Sequence, residues 1–180
     1  MGIRVAVHGI ALLLAARLLA PGGVVAGASR TDPVPPAPAV ALSRSHLAVI
    51  VNRANPIGAL NRTELRSLFL GERTTWTHGR RVTLVLREPG QPERAAALRL
   101  IYGMSEADLT RHWLHRTFTG SSVPGPRTLA TAEGVKRFVV NVPGAIGLVR
   151  LADVDATVKP LAINGAAPGE PSYPLIIGEP

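Results

Sequence analysis

The sequence predicts an α/β fold, a small mixed sheet covered by helices. Three observations lead there. Short apolar runs rich in β-branched residues, such as "HLAVIVN" at 46–52, have strand length and suit burial. Between them lie segments with helical spacing of apolar residues and capping signals at their starts. The two patterns alternate along one short chain, without an internal repeat.

The first strand is "HLAVIVN". Asn61 then stands as an N-cap, with Glu64 three residues on to complete a capping box. Leu60 and Leu65 have the spacing of a hydrophobic staple, and Leu65, Leu68 and Phe69 share one face. Gly71 is placed to end this helix, about 62–70, in a left-handed conformation. After a Gly79 turn, a strand is expected at about 82–87. From Pro92 to Tyr102 a helix is expected, with Ala95, Leu98, Ile101 and Tyr102 on one face and Gly103 at its end. Ser105 and Asp108 open the next helix, which carries Leu109 and Trp113 and ends near Phe118. "GSSVPGPRT" reads as a loop. Thr131 caps a further helix with Val135, Phe138, Val139 and Val142 at core spacing, stopped by Pro143-Gly144. "AIGLVR" and "VKPLAIN" read as two more strands, and the tail is turn-rich with one apolar run, Leu175 to Ile177.

The chain has 180 residues, room for one domain with tails, and 46% of them are hydrophobic, enough for a core. The N-terminus has the pattern of an export signal: Arg4, the apolar "VAVHGIALLLAA", and the small residues Ala26 and Ala28 before a cut at Ser29. Residues 1–28 are therefore expected to be a signal peptide. Arg17 interrupts the apolar run, so an uncleaved anchor is the alternative. The run is too short and broken for a spanning helix, and no transmembrane domain is expected after cleavage. Residues 29–45, with four prolines, read as an extended linker. The folded domain is expected over 46–177, exported to the periplasm or beyond.

The formal net charge is +8, mostly from arginine, since Lys136 and Lys159 are the only lysines. No basic run exceeds two residues and aromatics are 4%, which leaves no stacking platform for single strands, and nucleic acid is not an expected partner. The absence of cysteine excludes disulfides, thiol nucleophiles, thiolate metal sites and a lipid-modified cysteine. There is no Gly-x-Ser-x-Gly elbow, no His-Glu-x-x-His and no Gly-Lys-Thr phosphate loop, so an enzyme is not expected.

One stretch has the layout of an anion site. "LVLREPGQPERAAALRLIYG" passes from strand to glycine turn to helix start. Arg87 closes the strand, Gln91 is the expected N-cap, and Arg94 follows on the first turn. Two residues oppose an anion there. Pro92 at the first helical position removes a donor, and Glu93 repels negative charge. Plain helix capping, with Glu88 and Glu93 pairing Arg87 and Arg94, fits the same residues. Ser121 and Ser122, in a glycine-flanked loop, could give second contacts to an anion at a cleft or could be solvated. His112 and His115, three apart on a helix, could share a metal, but no third ligand accompanies them and no cofactor is expected. Arg80-Arg81 reads as a solvated turn or a ligand-facing pair, and Trp76 and Trp113 as core or rim packing.

Several segments together resemble the solute-binding proteins of phosphate ABC transporters, a branch of the type 2 periplasmic binding protein superfamily. "LAVIVNRANPIGALNRTELRSLFLGERTTW", "VNVPGAIGLVR", "VKPLAING" and "SYPL" follow that family's order from residue 47 to 175. The resemblance implies one lobe of a two-lobed fold, a small oxyanion such as phosphate as ligand, and an ABC permease as partner. Arg87 matches the family's strand-end arginine. The family's Ser-Gly-Thr signature is replaced here by "PGQPERAAAL". That departure leaves a second reading open: an envelope protein–protein interaction module that keeps the fold without the small ligand.

Overall fold

The structure, a computed structural model, describes residues 46–119 and 124–177. The expected signal segment, the proline-rich linker, Ser121 and Ser122 lie outside the described residues. The described elements are β1 (Leu47–Asn52), β2 (Ala59–Leu60), α1 (Arg62–Phe69), β3 (Thr83–Arg87), α2 (Pro92–Ala97) with a π-helical turn (Leu98–Tyr102), α3 (Glu106–Phe118), β4 (Arg127–Leu129), α4 (Ala132–Asn141), β5 (Ala145–Arg150), β6 (Val158–Pro160) and β7 (Ala162–Ile163).

Five strands form one mixed sheet in the order β4-β3-β5-β1-β6. β3 runs parallel to both β4 and β5, and β1 runs antiparallel to β5 and β6. Strand alternation divides the core between the two faces of the sheet. Leu47, Val49, Leu84, Leu86, Ile146 and Leu148 join one cluster, with side chains of α1, α2, the π turn and α3. Ala48, Ile50, Val85, Ala145 and Val149 join a second cluster, under Val135 and Val139 of α4. Helices thus cover both faces, which is why β1 and β5 read as continuous apolar runs and not as alternating ones.

The local signals act as expected. Asn61 accepts from the Glu64 N–H at 2.8 Å and Glu64 accepts from the Asn61 N–H at 2.9 Å. Leu65, Leu68 and Phe69 are fully buried, each worth about 1.5–3 kcal/mol. Gly71 takes φ +71, and Ser105 and Thr131 cap α3 and α4.

Two expectations change. The helix after Pro92 is not uniform. Beyond Ala97 it widens, and the Gly103 N–H bonds back five residues to Leu98 at 2.7 Å. The wider turn shifts the phase, so Ala95 is exposed while Ala96, Ala97, Ile101 and Tyr102 face the core. "VKPLAIN" makes two strands: β6 ends at Pro160, and the Leu161 N–H gives a last bond to β1, on the Val49 carbonyl at 2.9 Å. The chain then crosses to pair β7 in parallel with β2. The turn-rich tail bonds to β1: Leu47 donates to the Leu175 carbonyl at 2.8 Å, and the buried Tyr173 hydroxyl donates to the Leu47 carbonyl at 3.1 Å.

Gly144 is the tightest backbone approach. A Cβ there would lie 2.1 Å from the Arg81 carbonyl oxygen. The Gly144 carbonyl also accepts from the Trp76 indole at 3.0 Å, which fixes that loop. Gly144→Ala should therefore cost about 1–3 kcal/mol in urea unfolding, as an overpacked core does. Asn61→Ala should cost about 1 kcal/mol through the lost cap.

Candidate functional site

Parallel pairing brings the ends of β3, β4 and β5 to one edge of the sheet. Arg87 stands opposite Leu129, and Arg150 ends β5 at the same side. In open α/β sheets this edge is where ligands bind. The turn after Arg87 is closed by Gly90 at φ +85 and by the Gln91 N–H on the Glu88 carbonyl at 3.2 Å.

Arg87 is 9% exposed. Its Nη2 donates to Gln91 Oε1 at 2.9 Å. Its Nε is buried without a partner, and no described carboxylate pairs with it. Gln91 has the N-cap backbone conformation but does not cap α2 with its side chain, which serves Arg87 instead. Arg94 is also 9% exposed and fully engaged on one side. Its Nε donates to Glu106 Oε2 at 2.9 Å, its Nη2 meets Glu106 Oε1, and its Nη1 donates to the Arg87 carbonyl at 3.2 Å. The Arg94 guanidinium holds the Glu106 carboxyl below the usual glutamate range. Beside this pair the Tyr102 hydroxyl is buried without a partner, and burial pushes its pKa well up.

Glu93 does not pair with Arg87 or Arg94. It is 4% exposed, accepts from Arg150 Nε at 2.7 Å through Oε1, and leaves Oε2 buried without a partner. Glu106 and Arg150 are therefore site residues that sequence reasoning passed over. Glu106 reads as a helix-start acid, twelve residues from its partner Arg94, and nothing local links them. Arg150 did carry a signal, since "LVLR" and "GLVR" both end a strand in arginine.

The remaining candidates are dispersed. His112 Nε2 lies 2.9 Å from the Leu70 carbonyl, His115 is exposed, and among the described residues no group of three metal-binding side chains forms. Trp76 is core, and Trp113 is half-buried against Gly71 and Gly125. Arg80 and Arg81 are exposed. The edge therefore offers one buried guanidinium with donors to spare, between two cation–carboxylate pairs. This is a setting for holding an acceptor group.

No family model matches the sequence, and no curated protein matches it significantly. Solved structures do match. An ABC-type phosphate transport receptor from Vibrio cholerae is 23% identical with TM-score 0.57, covering 69% of this chain and 48% of that one. A structure with bound phosphate from Clostridium perfringens, described as a phosphate ABC transporter substrate-binding protein, is 19% identical with TM-score 0.57, covering 69% and 47%. PstS from Borrelia burgdorferi is 12% identical with TM-score 0.55, covering 74% and 55%. The α/β fold is thus shared with phosphate-type solute-binding proteins, and the chain spans about half the length of these neighbours.

The Arg94–Glu106 pair has a pH signature. Because the folded carboxyl titrates lower than an unfolded one, its contribution is complete above the ordinary glutamate value of about 4.3 and is lost as the pH falls through the folded value. Glu106→Gln should cost about 1 kcal/mol near neutral pH, discounted because the carboxylate is partly exposed. In urea unfolding across pH 3–7, about the range of carboxylate titration, the gap between wild type and variant should close at the acid end.

Proposed function

We propose that the chain is an exported, non-catalytic solute-binding domain that holds a small oxyanion at Arg87, in the setting of an ABC permease. The observation that carries this reading is the Arg87 guanidinium, nine-tenths buried at the ligand edge of the sheet with a free Nε and no carboxylate partner. A buried charge calls for a counter-charge. The neighbours' link to phosphate transport supports phosphate or a similar ion as that counter-charge. Gln91 would orient the guanidinium, and Arg94, already matched to Glu106, would add field more than contact. Ser121 and Ser122 are proposed as second contacts. Pro92 supplies no N–H and Glu93 sits one residue on, so affinity should be weak, about millimolar. Calorimetric titration with phosphate, with sulfate as control, should show saturable heat at low salt. Arg87→Ala should weaken it about tenfold or more, the scale of a lost charged hydrogen bond. No heat at millimolar ligand would sink the reading.

A second reading is favoured by a different observation. Leu114 and Phe118, one helical turn apart on α3, are 54% and 81% exposed. Exposed apolar side chains grouped in this way mark interaction surfaces. On this reading the domain is an envelope protein–protein interaction module. Photocrosslinks from position 118 in cells should then reach one envelope protein, and scattered labelling would count against it.

A further inference from the structure

The two arginines of the β3–α2 turn differ in how their donors are used. Arg87 and Arg94 are equally buried. At Arg94 the side-on fork, Nε and Nη2, is filled by both oxygens of one carboxylate, that of Glu106. Such bidentate pairing fits a planar two-oxygen group to a planar cation. At Arg87 the same two atoms meet different partners. Nη2 donates to the Gln91 amide oxygen at 2.9 Å, and Nε is buried with no partner among the described residues. An amide brings one acceptor oxygen and no charge. Arg87 therefore has the donor pair of Arg94 without its carboxylate. Nη2 carries two N–H groups, so it can serve Gln91 and a second acceptor together.

Charge sets how much anion this edge accepts. Arg94 is matched by Glu106 and Arg150 by Glu93, which leaves Arg87 as one positive charge over. A monoanion balances it. A dianion would bring excess negative charge to an edge that already holds the unpartnered Oε2 of Glu93, with the exposed Glu88 next to Arg87. Shape points the same way. A tetrahedral anion has oxygens beyond the two that face a fork. From Arg87 to Tyr102 there is no serine or threonine to meet them, and Pro92 has no N–H. A carboxylate has only two oxygens, and burial of Arg87 favours a small one. We propose that the anion held at Arg87 is a small monocarboxylate, of the formate or acetate class, seated on Nε and Nη2 beside Gln91 as Glu106 is seated on Arg94. The inference rests on the oxyanion reading above and narrows its ligand class.

The test uses the full chain, ¹⁵N-labelled, titrated with acetate, formate and phosphate in turn at matched ionic strength. The pH is about 8, where phosphate is mostly a dianion. Acetate and formate should bind saturably, about threefold or more tighter than phosphate, and should move the Arg87 Nε–H resonance. Arg87→Lys keeps the charge and loses the fork, so it should weaken acetate about tenfold. Gln91→Glu puts a carboxylate of the chain itself on Arg87, as Glu106 stands on Arg94. It should remove acetate binding while the variant melts no lower than wild type. A folded Gln91→Glu chain that binds acetate as well as wild type overturns the proposal. Phosphate bound tighter than acetate, and lost in Arg87→Ala, overturns the carboxylate and leaves the oxyanion reading standing. No saturation with any of the three anions at about 20 mM, or binding that survives in Arg87→Ala, overturns both.

Discussion

A guanidinium buried to nine-tenths needs hydrogen-bonding partners, and Arg94 finds the Glu106 carboxylate. Three parts of the fold meet in that demand. Arg94 belongs to α2, Glu106 begins α3, and the Arg94 Nη1 reaches back to the last carbonyl of β3. One side chain therefore sets where α3 starts relative to the sheet. Taking one partner away would leave the other charge poorly solvated, which gives a partly buried pair consequence beyond its modest net energy.

The position of α3 decides what the ligand edge can do. With Arg94 matched to Glu106 and Glu93 matched to Arg150, Arg87 is left as the edge cation without a carboxylate. The pairing also swings the outer face of α3 beside β4, where Leu109 and Trp113 face Thr128 across a hollow. The oxyanion reading thus uses what the pairing leaves over at the strand ends.

The π-helical turn belongs to the same arrangement. It places the Ile101 and Tyr102 side chains in the core and ends at Gly103, two residues before the Ser105 cap of α3. Arg62 and Arg66 of α1 donate to the Leu100 and Ile101 carbonyls, at 2.9 and 3.3 Å. Cations at a helical C-terminus suit both the dipole and the unpaired carbonyls. The widened turn is therefore held from outside by α1 as well as from within by packing.

The sequence by itself determined the local structure. Asn61, Ser105 and Thr131 start helices because a short polar side chain bonds the N–H two or three residues on, and Gly71 and Gly103 end them because no Cβ opposes a left-handed backbone. Those are near-neighbour effects, legible in any window of a few residues. The order of segments also carried the resemblance to phosphate-type solute-binding proteins, and the shared fold follows it. Arg87 and Gln91 were legible as site candidates, but the bond between them was not, because the N-cap pattern assigns the Gln91 side chain to the helix. Tertiary structure decided the rest. Arg94 chose Glu106, twelve residues away, over its neighbour Glu93, and Glu93 chose Arg150 at the end of β5, fifty-seven residues on. The phase of the π turn and the division of "VKPLAIN" between two sheets were likewise set by packing. Charge pairing and sheet assignment depend on which chain ends the fold brings together, and no local pattern encodes that meeting.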